Sequence, residues 1–239
     1  MSLFEPGNAL QAATAALIVV VLSAVSVTAL GDDSADAGDL SAEEVAERVQ
    51  HFYAETEDFQ AAFVQEYTDI AAAETSQSRG RVYFKKPGMM RWDYYHADRD
   101  ERDRMLVADG DYFWVYEYEY QQVFQQCLEE SQLPTALRFM MGEGDLLEEF
   151  EVELADASTA DNPVLELEPR EPTADYRKLE FVLDGSSFEV ARSTLYDPYG
   201  NTNEIQFHDA RVNQNLSADG FEFEPPEGAR LLNPEQQCD

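Results

Sequence analysis

A chain of 239 residues with 49 acidic against 16 basic side chains carries a formal charge of -33, which repels phosphate backbones and excludes nucleic-acid binding and charge-driven adhesion to anionic membranes. Its 44% hydrophobic and 12% aromatic content is too rich for a disordered chain and sufficient for one self-supporting domain. The acidity reads as a solvated coat, with steering toward a basic partner as the alternative.

In chain order, no residue between Gly7 and Gly31 is charged, and the run from Ala15 to Leu22 is strongly apolar. Ala29-Leu30-Gly31 fits a small-x-small cleavage site, so residues 1–31 read as an export signal. The alternative is a retained anchor, because the segment has Glu5, lacks Lys and Arg, and is long enough to cross a bilayer. Residues 32–40 form an acidic linker. Asp32, Ser34, Asp36 and Glu43 have calcium-loop spacing, but Ala37 stands where that loop needs glycine.

Ser41-Ala42-Glu43-Glu44 predicts a capping box, and Val45, Val49, Phe52 and Tyr53 share one face of a helix ending near Glu57. The period then changes to two: Phe59, Ala61, Phe63, Gln65 and Tyr67 lie on one side of a strand. Further strands are expected at 78–85, 90–95, 104–108, 112–118, 150–154, 164–168, 178–183, 188–196 and 202–210, and Asp109-Gly110 marks a hairpin. One stretch breaks this rhythm. Leu133 to Gly142, with Pro134 at a first turn and glycine at the end, predicts a helix, and 144–149 adds a turn.

The sum is an α+β domain: a single curved, nearly closed antiparallel sheet (an open barrel) interrupted once by helix. A sheet that long curls, and a helix or a ligand must fill its concave face.

Catalytic patterns are missing. His51, His96 and His208 are scattered without metal spacing, and the chain has no nucleophile elbow, P-loop or dinucleotide fingerprint. Neither enzyme, metal nor cofactor is expected. Aromatic and methionine side chains instead crowd the centre: Met89, Met90, Trp92, Tyr94 and Tyr95 on one strand, Tyr112, Trp114, Tyr116 and Tyr118 on another, and Leu137, Phe139, Met140 and Leu146 on the mid-chain helices. Pattern alone favours a packed core over a ligand pocket. Methionine adds some weight to the pocket, because its flexible thioether adapts to varied apolar ligands. Cys127 and Cys238 are either one bridge in an oxidising compartment or two free thiols.

Four blocks in order resemble the LolA family of periplasmic carriers of outer-membrane lipoproteins. They are Phe59 to Gln65; Gly80 to Tyr94, with Lys85-Lys86-Pro87-Gly88 before Arg91-Trp92; Leu106 to Tyr116; and Phe221 to Gly228. The resemblance covers residues 41–232 as the carrier domain and leaves 233–239 as a tail. It implies a helical lid over a hydrophobic cavity. Met90, Trp92, Tyr94, Trp114, Leu137, Phe139, Met140 and Leu146 are then the residues expected to line or cover it. Lys86 stands where the family often has the arginine that holds the lid; lysine keeps the charge and loses the fork of donors.

The implied function is non-enzymatic. A monomer in the periplasm would take acylated lipoproteins from an inner-membrane ABC-type release complex to an outer-membrane receptor or to that membrane itself. A lipid-sensing domain of the same fold is the alternative.

Overall fold

The computed structural model describes residues 40–128 and 144–232. Helix α1 (Ala42–Glu55) begins with the predicted box: Ser41 Oγ accepts the Glu44 amide at 3.2 Å, and the Ser41 amide donates to Glu44 Oε2 at 2.8 Å. Val45, Ala46, Val49 and Tyr53 form its buried stripe, at the spacing of an amphipathic helix.

After α1 the chain runs as antiparallel neighbours through β1 (Asp58–Asp69), β2 (Glu74–Lys85), β3 (Met89–Tyr95), β4 (Arg102–Asp109), β5 (Tyr112–Glu117) and β6 (Gln122–Cys127). The single-turn helix α2 (Leu146–Glu149) leads into β7 (Phe150–Leu154), β8 (Val164–Pro169), β9 (Lys178–Leu183), β10 (Val190–Tyr196) and β11 (Thr202–Val212). These five strands form a second antiparallel run, joined to the first where β11 pairs with β1. A 3-10 turn (Ala218–Phe221) and the short strand β12 (Arg230–Leu232) follow, with β12 parallel to β6. The order is β12-β6-β5-β4-β3-β2-β1-β11-β10-β9-β8-β7, and the two end strands do not pair. The sheet is therefore open.

It also curls. α1 packs on β7 and β8, while its last turn meets Lys86 at the end of β2. Flat, those strands would lie roughly 29 Å apart at the usual spacing, against roughly 21 Å for a 14-residue helix. Wrapping the sheet around α1 brings both ends within reach. Gln50 fastens the helix further, donating from Nε2 to Asp145 Oδ2 at 2.9 Å and accepting the Leu146 amide at 2.9 Å. Asp145 also caps α2 by accepting the Leu147 and Glu148 amides, and the Gln50 bond followed by these two holds its carboxyl below the usual range.

The sheet buries apolar residues on both faces. The inner face joins α1 and α2 in one cluster that includes Phe59, Phe63, Trp92, Phe150, Phe181 and Phe207. The outer face of β4–β6 carries a second cluster of Met105, Val107, Trp114, Tyr116 and Val123, packed against Phe223, Ala229 and Leu231 from the segment after β11. Two strands escaped the sequence reading. β6 is half glutamine, a poor strand signal, and β12 has only three residues. The helix expected from Leu133 to Gly142 lies outside the described residues.

Candidate functional site

Three rows of side chains cross the inner face in register. Phe59, Phe84, Met90, Ala108 and Phe113 form one; Ala61, Val82, Trp92, Leu106 and Val115 the next; Phe63, Gly80, Tyr94 and Arg104 the third. Phe63 packs edge-on against Trp92 and Tyr94, with ring centroids 4.7 and 5.0 Å apart. Around this tight knot, Leu106, Val115, Leu195 and Ile205 remain only half-buried. The inner face is therefore closed at its centre and carries accessible hydrocarbon on its flanks. Burial raises the Tyr94 phenol pKa, against the opposing pull of Arg104.

Of the residues expected to line a cavity, Met90, Trp92, Tyr94 and Leu146 fall in this one cluster. Leu137, Phe139 and Met140 lie outside the described residues. Trp114 needs a correction. The register sets Trp92 opposite Leu106, and Leu106 opposite Val115, so the alternation places Trp114 on the other side of β5 with Val107 and Arg91. There its ring packs 5.5 Å from Phe223, and its indole donates to Asp109 Oδ2 at 2.8 Å. Counting aromatics finds rich strands; only pairing assigns faces. Leu106, Val115 and Arg104 were missed because their strand positions look ordinary until paired with Trp92 and Tyr94.

Among the described residues, no three His, Cys, Asp or Glu side chains are grouped to hold a metal ion.

The family model for the outer membrane lipoprotein carrier protein LolA matches residues 54–224, well over half of the chain. The chain belongs to the LolA family. A protein named outer-membrane lipoprotein carrier protein from Alkalilimnicola ehrlichii is 26% identical over 225 residues, covering 93% of this chain and 95% of that one. One of the same name from Methylococcus capsulatus is 28% identical over 186 residues, or 77% and 86% of the two chains. In fold, the chain is similar to the crystal structure of an uncharacterized conserved protein from Thermus thermophilus, with a TM-score of 0.51 at 14% identity over 80% of this chain and 98% of that one.

Within this LolA-family fold, Lys86 closes the end of α1. Its Nζ donates to the Tyr53 and Ala54 carbonyls at 2.7 and 2.8 Å, in the last turn where helix carbonyls lose their intrahelical partners; the Tyr53 carbonyl also accepts the Thr56 amide at 3.2 Å. A cation there also opposes the negative end of the helix dipole. Tyr53 adds a fixed point nearby, since its hydroxyl accepts the Val190 amide at 3.2 Å. Lys86→Met is expected to lower stability by about 1–2 kcal/mol, read as a shift in the urea midpoint. Lys86→Arg should recover most of that loss. An unshifted midpoint for the methionine variant would remove Lys86 as the clasp of α1.

Cys127, buried at the end of β6, is not a free thiol. Cys238 lies outside the described residues. The sequence holds only these two cysteines, so we propose a bridge between them. Non-reducing mass analysis should show protein two hydrogen atoms lighter than the reduced chain, and two alkylatable thiols in unreduced protein would disprove it.

Proposed function

We propose that this chain is a periplasmic carrier that shelters the acyl chains of lipoproteins on the inner face of its sheet. It takes them from an inner-membrane ABC-type release complex and gives them to an outer-membrane receptor or to the outer membrane directly. The observation that carries the reading is the half-buried hydrocarbon of Leu106, Val115, Leu195 and Ile205 beside a packed aromatic centre, in a chain of the LolA family.

The energetics suit a shuttle. Each methylene buried in a membrane is worth about 0.8 kcal/mol, so several acyl chains make unaided passage through water prohibitive. A carrier need only match that environment with an apolar lining of its own, which makes each transfer a near-balanced exchange. No covalent bond is made or broken. The charge of -33 keeps an unloaded carrier from adhering to the anionic leaflets it visits.

Leu106→Glu tests the reading. Beside a loading surface the half-buried glutamate turns toward water, so the loss should stay within about 2 kcal/mol, while uptake of a lipoprotein from inner-membrane vesicles falls at least roughly tenfold as the charge must be buried under acyl chains. Wild-type uptake by the folded variant, or a wild-type protein that accepts no lipoprotein, would defeat the carrier function.

A further inference from the structure

Two enclosed N–H donors on the inner face have no acceptor. They are the indole nitrogen of Trp92, a residue 2% exposed, and Nε of Arg104. Both side chains meet the same ring: Trp92 stacks on Tyr94 with centroids 6.3 Å apart, and the Arg104 guanidinium lies 4.4 Å over it. Buried donors in folded proteins are almost always paired, and one left unpaired calls for an explanation.

The pairing failure is not for want of partners. The chain has 49 carboxylates, and Glu117 stands directly across from Arg104 in the β4–β5 register, yet among the described residues Arg104 makes no ion pair. Nor does this fold neglect indoles, since the Trp114 nitrogen is matched to Asp109 at 2.8 Å. Trp92 belongs to the inner-face cluster, Arg104 meets that cluster through the Tyr94 ring, and the flank at Leu106 and Val115 is half-buried hydrocarbon. Donors beside an apolar surface describe a ligand with an oxygen at the head of a hydrocarbon tail.

We propose that Trp92 and Arg104 form an oxygen-acceptor subsite for the carbonyl head of an acyl chain, whose tail lies along Leu106 and Val115. This rests on the carrier reading and refines it. A purely apolar lining cannot fix how deep a chain sits, because one methylene resembles the next. Two donors at a set height register the chain by its ester, amide or carboxylate oxygen. Arg104 favours the charged carboxylate most, through a charge-assisted bond; the neutral indole serves ester and carboxylate alike.

The experiment uses laurate and methyl laurate with the wild-type protein, Trp92→Phe and Arg104→Met. The chain has two tryptophans and hence two indole N–H resonances in a nitrogen-proton correlation spectrum. The one missing in Trp92→Phe should move on saturation with either ligand, while the Trp114 signal, already bonded to Asp109, stays in place. Arg104→Met should weaken laurate about tenfold or more and methyl laurate less. Trp92→Phe should weaken both ligands several-fold. Arg104 is only half-buried, so its variant remains informative should Trp92→Phe not fold. Laurate binding with an unmoved Trp92 resonance and an unchanged Arg104→Met affinity would overturn the subsite and leave the carrier function standing. Wild-type protein that binds neither ligand would overturn both.

Discussion

Replacing Gly80 with alanine is expected to cost about 3 kcal/mol or more, close to the whole stability of a marginal fold. Gly80 sits in β2 between Phe63 of β1 and Tyr94 of β3. The Phe63 ring occupies the space that a side chain at position 80 would need: a Cβ there would meet its Cε1 and Cζ at 2.6 Å and collide with the Asp93 carbonyl. Neither neighbour can yield. Phe63 is 1% exposed and wedged edge-on against Trp92 and Tyr94, and Asp93 lies in the strand that pairs with β2. Gly220→Ala is the control, since a Cβ there meets nothing within 4 Å, and it should stay within about 0.5 kcal/mol of wild type. Urea unfolding of both variants decides it. A Gly80→Ala midpoint indistinguishable from wild type would mean that the inner face is far softer than its packing suggests.

That glycine shows where sequence reading stops. The block from Gly80 to Tyr94 is recognisable as a pattern, but the reason for glycine lies in Phe63, seventeen positions earlier and brought alongside by the β1–β2 pairing. Local signals were legible because their causes are local. The capping box at Ser41, the Asp109 turn and the alternation of β1 each depend on residues a few positions apart. Asp109 shows this well: its Oδ1 accepts the Asp111 and Tyr112 amides, and Gly110 takes the φ of 108° that the turn demands. Faces are another matter. Trp92 and Trp114 look equivalent in a list of aromatics, yet register puts them on opposite sides of the sheet. The role of Arg104 was equally hidden, because an arginine in an ordinary strand shows no sign of the Tyr94 ring beneath it.

The acidic composition also divides once the fold is known. Among the described residues most carboxylates are solvated, but Asp93 and Asp58 are each only 2% exposed. Asp93 lies on the outer face between Arg91 and Arg102, at 3.1 and 3.3 Å. Arg91 in turn donates to the Gly220 carbonyl at 3.0 Å, which ties the segment after β11 to the outer face. Composition alone assigned all of these acids to a coat. Some are fasteners.

Asp58 is the more demanding of the two, and Asp58→Ala is expected to destabilise the fold by about 3 kcal/mol. It stands at the start of β1, where the chain leaving β11 must turn onto the outer face. Its carboxylate accepts the Gln214 amide at 2.7 Å and the Leu216 amide at 3.1 Å, and its main-chain carbonyl accepts the Asn213 amide at 2.8 Å. Alanine keeps only the last of these. Asparagine keeps one acceptor oxygen and should lose about half as much. The damage should be directional. Freed at 214 and 216, the segment that carries Phe221 and Phe223 loosens from the outer cluster, so the Trp114 environment becomes more polar and limited proteolysis cuts between 213 and 229. The inner face does not use Asp58, so acyl binding should survive wherever the variant is folded. Tryptophan fluorescence, protease mapping and laurate titration on one preparation separate these effects. Wild-type protease resistance together with a wild-type urea midpoint would show that the segment is held by Phe223 and β12 alone, and that Asp58 is buried there without clasping anything.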